Sequence, residues 1–248
     1  MSDLNELIGR ARGGEIIQLT GTHLFTPVFE LLTEGLDEIT GGEGSFRRGF
    51  DSWRPEEFAD YFGRFVQAMD DSGAHYREFA RAVAGAGIDP REFVLFITLD
   101  KSLRICVPGG GKKNYGYYIH RDSWFDLSPD GVNVVLYLTD VSYAGNTTFF
   151  PDFFGKAIDY DPPTRQLLQP LGSCRALAFN SRAGDCLVFA GDQLHGGALV
   201  ESPRLSVEFR VSRMPEFGRP HQGIVYHRVA DFLAEGGLAW NRVLSATE

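Results

Sequence analysis

The hydrophobic rhythm of the chain changes near residue 93. Before it, apolar positions recur every three or four residues, the period of helices that bury one stripe. Residues 3–12 predict a short helix, ended by Gly13 and Gly14. A short strand is expected at 15–19, and a helix at 27–36 with Val28, Leu31 and Leu32 on one side. A Gly-rich loop follows at 41–44. Helical spacing returns at 55–68, where Phe58, Tyr61, Phe62 and Phe65 share a face, and again at 76–86, closed by Gly87.

Beyond residue 93 the chain carries short runs rich in β-branched and aromatic residues. Strands are predicted near 93–99, 103–107, 115–121, 132–139, 147–150, 174–180, 186–190, 195–200 and 204–213. Turn signals separate them, among them Pro108-Gly109-Gly110-Gly111, Ser128-Pro129-Asp130-Gly131 and Ala144-Gly145-Asn146. Residues 153–169 are polar with little period and read as a long loop or lid. Helices first and about eight strands afterwards predict a mainly β fold with N-terminal helices. The expected core is a double-stranded β-helix, jelly-roll and cupin-like. One domain is expected over 1–248, with 1–92 as mostly helical support, 93–213 as the barrel core and 214–248 as a C-terminal extension. The tail at 229–248, with Phe232, Leu233, Leu238 and Trp240, fits either internal packing or a dimer contact, so monomer and homodimer both stay open.

Composition narrows the function classes. A chain of 248 residues, 43% hydrophobic, buries a full core without disulfides or structural metal. The formal charge of −9 opposes a nucleic-acid or anionic-membrane partner, since such surfaces need a positive field. Lys112-Lys113 is too short a cluster to reverse that. Cys106, Cys174 and Cys186 form no CxxC pair and fit reduced thiols. The first residues lack the apolar stretch of a signal peptide, and no run approaches ~20 apolar residues, so a soluble cytoplasmic protein is expected.

The candidate chemistry begins at Tyr117-Tyr118-Ile119-His120-Arg121-Asp122, which reads as a strand end. Alternation along a strand puts His120 and Asp122 on one face, where an imidazole and a carboxylate can take adjacent positions on a divalent metal. His195, after the turn and buried strand of Gly184-Asp185-Cys186-Leu187-Val188-Phe189, is the third candidate ligand. Two His and one carboxylate leave open positions on the cation, the arrangement that suits oxygen-activating Fe(II). On the last predicted strand Arg204, Ser206, Glu208, Arg210 and Ser212 share one face, and Leu205, Val207, Phe209 and Val211 the other. The apolar face can pack on helices, leaving the polar face toward the barrel interior. Buried charges there need partners, and a dicarboxylate cosubstrate is a natural one. Arg204 offers a bidentate fork to its distal carboxylate, with Ser206 as a hydroxyl donor. Asn133 belongs to the same cosubstrate region by strand position. Glu208 and Arg210, an acid and a base lining one cavity, would suit a zwitterionic substrate or pair with each other. Arg104, Tyr117 and Trp124 are further candidates for substrate contact.

His120-Arg121-Asp122, His195 and Arg204-Leu205-Ser206 together resemble the HxD…H…RxS pattern of the Fe(II)/2-oxoglutarate-dependent dioxygenases. Within that superfamily the chain looks most like the phytanoyl-CoA-hydroxylase-like group, bacterial amino-acid hydroxylases included. The likeness covers roughly 93–213. It implies that His120, Asp122 and His195 hold Fe(II), that Arg204 anchors 2-oxoglutarate, and that O2 is the oxidant. Arg210 begins a second RxS and is the competing anchor. Related halogenases place Gly or Ala where Asp122 stands, so Asp122 argues for oxygen transfer. The implied activity is hydroxylation of an unactivated C–H bond in a small polar metabolite, a free or carrier-linked amino acid, in a setting such as secondary metabolism. Desaturation, cyclisation or epimerisation on the same iron, a non-catalytic cupin-type binding protein and a zinc hydrolase are the alternatives. The last would need a general base beside the metal, and no HExxH helix is present.

Overall fold

The computed structural model describes residues 4–21, 23–53, 55–89, 92–96, 103–106, 119–125, 128–197, 204–213 and 225–228. Five helices come early: α1 (Leu4–Arg12), α2 (Thr26–Thr40), α3 (Ser45–Gly49), α4 (Pro55–Ser72) and α5 (Ala74–Gly85). Pro27 sits in the first turn of α2, where its missing N–H has no intrahelical role. Gly41 ends that helix at φ 119°, a left-handed conformation that glycine adopts without strain. The Asp37 carboxylate then accepts the backbone N–H groups of Gly44 (2.7 Å) and Phe46 (2.8 Å), folding the Gly-rich loop directly into α3. The spacing reading found α1, α2, α4 and α5 with ends displaced by a few residues. It missed α3, a single turn too short to show a period.

Eleven strands occur among the described residues: β1 (Ile17–Leu19), β2 (Phe93–Phe96), β3 (Leu103–Cys106), β4 (Val132–Tyr137), β5 (Thr147–Phe149), β6 (Tyr160–Asp161), β7 (Gln166–Leu167), β8 (Cys186–Ala190), β9 (His195–Gly197), β10 (Arg204–Ser212) and β11 (Val225–Arg228). The large sheet runs β1-β8-β4-β10-β2-β11, with β3 also on β10, and every pairing in it is antiparallel. A small antiparallel sheet pairs β5 with β9. Single bridges extend it from Phe149 to Leu177 and from His195 to His120.

Period-two alternation decides what each face meets. Val132, Val134, Leu136 and Leu138 of the β4 segment, Cys186 and Val188 of β8, and Leu205, Val207, Phe209 and Val211 of β10 join the helices in one buried cluster. Phe209 stacks on Phe79 of α5 at 4.1 Å, and Phe79 stacks on Phe25 at 5.4 Å. The opposite face sends Val135, Tyr137, Leu187 and Phe189 into a second cluster with Phe149 of the small sheet. An interior thus lies between the two sheets, and the polar face of β10 turns toward it.

Several expectations need correction. Residues 174–180 form no strand; Leu177 makes one bridge to Phe149 and the chain moves on. Residues 153–169 are not structureless, because β6 and β7 form a hairpin there. Asp122 does not continue a strand: it opens a 3-10 turn, Asp122–Phe125. β11 was not anticipated; it pairs with β2 at the edge of the large sheet. The Gly-rich turn at 108–111, most of the expected strand at 115–121 and the tail at 229–248 lie outside the described residues. Among those described, no helix is long and apolar enough to cross a membrane.

Candidate metal centre

The two histidines meet through backbone pairing. His120 and His195 are opposed in an antiparallel bridge, each donating its N–H to the other's carbonyl (2.8 and 2.9 Å). Directly opposed residues of an antiparallel pair project to the same face, and the two ring centroids lie 4.5 Å apart. Asp122 joins them because the chain turns at that residue. Its N–H donates to the Gly191 carbonyl (2.9 Å), which closes the turn and swings the carboxylate back toward the rings. Oδ1 comes to rest 3.7 Å from His120 Nε2. One ligand atom from each of the three side chains lies within 4.8 Å of the others.

Burial and tautomer suit a cation. Asp122 and His195 are buried, and the His120 side chain is only 12% exposed. His195 Nδ1 faces the Gln193 carbonyl at 2.9 Å. A carbonyl only accepts, so Nδ1 carries the proton and the Nε2 lone pair is left for a metal. Burial, then the adjacent His120 ring, pushes the His195 pKa down, which favours the neutral, metal-binding imidazole. Burial alone would raise the Asp122 pKa. The Arg210 guanidinium, His195 and His120 outweigh it and hold the carboxyl well below the usual range. Two imidazoles and an ionised carboxylate fit a divalent first-row cation, Fe(II) included.

The other candidates separate into groups. Asn133 and Arg210 are opposed in register across β4 and β10, and both reach the metal-site carboxylate. Asn133 Nδ2 donates to Asp122 Oδ2, and Arg210 Nη2 lies 2.8 Å from the same oxygen. Glu208 accepts from Arg210 (3.3 Å) and from Arg104 (3.0 Å), so charges alternate from Arg104 to Asp122. Glu208 and Arg210 therefore do pair with each other, one of the two options open from the sequence. Arg204 and Ser206 are buried on the same face nearer the start of β10. Arg204 Nη1 donates to the Gly145 carbonyl (3.2 Å), and Ser206 is opposed to Tyr137 in register. Trp124, in the 3-10 turn, stacks on Tyr160 of β6 at 4.3 Å and 6°. Tyr117 lies outside the described residues.

Some residues of the site escaped the sequence reading. Tyr137 donates its hydroxyl to Asn146 Oδ1 (2.6 Å), and burial pushes its pKa up to about 12 against the opposing field of Arg204. The alternation of Asn133, Val135 and Tyr137 along β4 was the signal that would have found it. Tyr160 sits in a polar stretch that offered none.

No family profile matches the chain, and no curated protein matches its sequence. Solved structures do align with it. The epimerase SnoN in complex with Fe3+, alpha ketoglutarate and nogalamycin RO is 16% identical, with a TM-score of 0.44 over 94% of this chain and 93% of that chain. The alpha ketoglutarate dependent carbocyclase SnoK from nogalamycin biosynthesis is 14% identical, with a TM-score of 0.44 over 86% and 84%. The apo form of the non-heme monooxygenase ThoJ is 15% identical, with a TM-score of 0.51 over 97% of this chain and 94% of that chain. At that identity the likeness to ThoJ is one of fold.

Proposed function

We propose that this protein is a non-haem Fe(II)/2-oxoglutarate-dependent oxygenase on a jelly-roll core, of the kind represented by the phytanoyl-CoA-hydroxylase-like group. The observation that carries the reading is the convergence of His120, Asp122 and His195 within 4.8 Å, facing an interior lined by a polar strand. Iron and 2-oxoglutarate, when bound, supply oxygen activation coupled to decarboxylation of the keto acid.

The chain's own residues do the rest. His120, Asp122 and His195 hold the cation. Arg204, with Ser206 beside it on the same face, receives the distal carboxylate of 2-oxoglutarate. Arg210 is the weaker candidate for that anchor, since its guanidinium already contacts Asp122 and Glu208. The Trp124–Tyr160 stack lies against the turn that opens with Asp122 and helps exclude water from that side. The substrate is a small polar metabolite, with a free or carrier-linked amino acid first in line. Hydroxylation is the expected outcome. Desaturation, cyclisation or epimerisation would follow from a different pose against the same centre.

Anaerobic titration of the purified protein with Fe(II) and then 2-oxoglutarate tests the reading. A weak visible charge-transfer band should develop, be absent in His195→Ala, and need far more 2-oxoglutarate in Arg204→Met. A protein that binds metal without that band is a cupin-type binder. Product mass then separates the outcomes: one oxygen gained, two hydrogens lost, or no change.

A further inference from the structure

A carboxylate can grip a cation with one oxygen or with both, and the choice sets how many positions stay open. In this site the two oxygens of Asp122 have different surroundings. Oδ1 faces His120 Nε2 at 3.7 Å. Oδ2 receives the Asn133 amide and, at 2.8 Å, the Arg210 guanidinium. A cation approaching Oδ2 would displace the charge-assisted hydrogen bonds that this oxygen accepts and meet a fixed positive charge.

We propose that Arg210 and Asn133 are positioning residues that restrict Asp122 to one-oxygen ligation, keeping three positions open for cosubstrate and oxidant. This rests on the metal reading above and adds a role for two residues that do not touch the metal.

The surroundings are built for that contact. A Cβ on Gly131 would stand 3.2 Å from Arg210 Cδ, and one on Gly191 would stand 3.4 Å from both Arg210 Nη1 and Asp122 Cβ. These two glycines are joined by a 2.7 Å hydrogen bond from Gly191 N–H to the Gly131 carbonyl, and Gly191 also accepts from the Asp122 N–H. The Arg210 side chain therefore runs through a slot whose walls are backbone, and its head is delivered to one oxygen. Glu208 holds the same Nη2 from the other side at 3.3 Å. That acid offsets the cost of a buried guanidinium beside a divalent cation.

The test uses the full chain with Co(II) as a spectroscopic stand-in, comparing wild type, Arg210→Met, Arg210→Lys and Asn133→Leu. Loss of an outer partner of a metal ligand ordinarily weakens the metal about 10–100-fold. Here the partner competes with the metal for the carboxylate, so the sign differs. Arg210→Met and Asn133→Leu should bind Co(II) as tightly as wild type or more tightly. They should show an altered d–d spectrum and take up 2-oxoglutarate about tenfold less well. Arg210→Lys, which keeps a cation in the slot, should recover part of the wild-type spectrum. Unchanged spectra and unchanged 2-oxoglutarate affinity overturn the proposal. So does a loss of Co(II) that is equal in Arg210→Met and Arg210→Lys, since that marks a merely structural role. If wild type binds no Co(II), the metal reading itself fails. If it binds Co(II) but not 2-oxoglutarate, only the cosubstrate reading fails and the spectra still decide the ligation.

Discussion

Replacing His75 by Leu should change how the stability of the protein depends on pH. His75 lies on α5 with its side chain fully buried and its ring 3.9 Å from that of Tyr76. Burial, reinforced by the positive charge of Arg77 and only partly offset by the Met69 backbone, lowers its pKa from 6.5 to about 3. The folded value is below the unfolded one, so acid protonates the unfolded chain first. The neutral imidazole's contribution is therefore complete above the unfolded pKa and is lost as pH falls toward the folded one. Across the whole window the loss is on the order of 4–5 kcal/mol, and between about pH 8 and about pH 5 it is about 2 kcal/mol. Urea unfolding of wild type and His75→Leu at both pH values measures it, because the other titrating groups are common to the two proteins. Wild type should lose about 2 kcal/mol more than the variant on acidification. Parallel losses would mean that His75 takes up its proton without unfolding, and the reasoning from burial would be refuted.

Two further outcomes test how the site is supported. Phe209→Ala removes a ring stacked on Phe79 and set edge-on to Tyr76, and should cost about 3–5 kcal/mol in urea unfolding; a loss below about 1 kcal/mol would deny the helix layer its role as buttress. Tyr160→Ala strips the ring that covers Trp124 and should red-shift and expose its fluorescence to quenching in a Trp53→Phe, Trp240→Phe background. The aromatic pair itself is worth only about 0.5–1.5 kcal/mol, so the fold should persist, and unchanged emission would show that the β6–β7 hairpin does not seal the turn.

What the sequence made legible is what depends on local period. The alternation on β10 separates Leu205, Val207, Phe209 and Val211 from Ser206, Glu208 and Arg210, and the two sets do face helices and interior. The histidine pair was legible by residue type and spacing. The rest depends on register and on turns. Nothing in the order of residues says that Asn133 stands opposite Arg210, because sliding β4 against β10 by about two residues leaves both alternations intact. Asp122 was placed on a strand because HxD alternates correctly, yet it reaches the histidines by leaving the strand at a 3-10 turn. Leu177 and Phe179 alternate as strand residues do, but the chain around them makes only isolated bridges. The short pairs of β6 and β7 carry too few residues to show a period.

The interior face of this sheet would be unstable as a set of independent charges, and its order resolves the difficulty. Arg104, Glu208, Arg210 and Asp122 follow one another with alternating sign, each within hydrogen-bonding or ion-pair distance of the next. Exposure falls over the first three members, from a side chain 41% exposed at Arg104 to 14% at Glu208 and 2% at Arg210, with Asp122 at 9%. Desolvation is most costly at Arg210, the most buried member, and it has an opposite charge on both sides, Glu208 and Asp122. Asp122 has Arg210 on one side and two imidazoles on the other. A divalent cation between those imidazoles and Oδ1 would complete the alternation. The ladder is therefore stable without a metal, through Arg210, and asymmetric toward one. Breaking it at Arg104 should be mild, because water reaches that end. Breaking it at Arg210 should be felt at the metal, because there the two oxygens of a single carboxylate cease to be different.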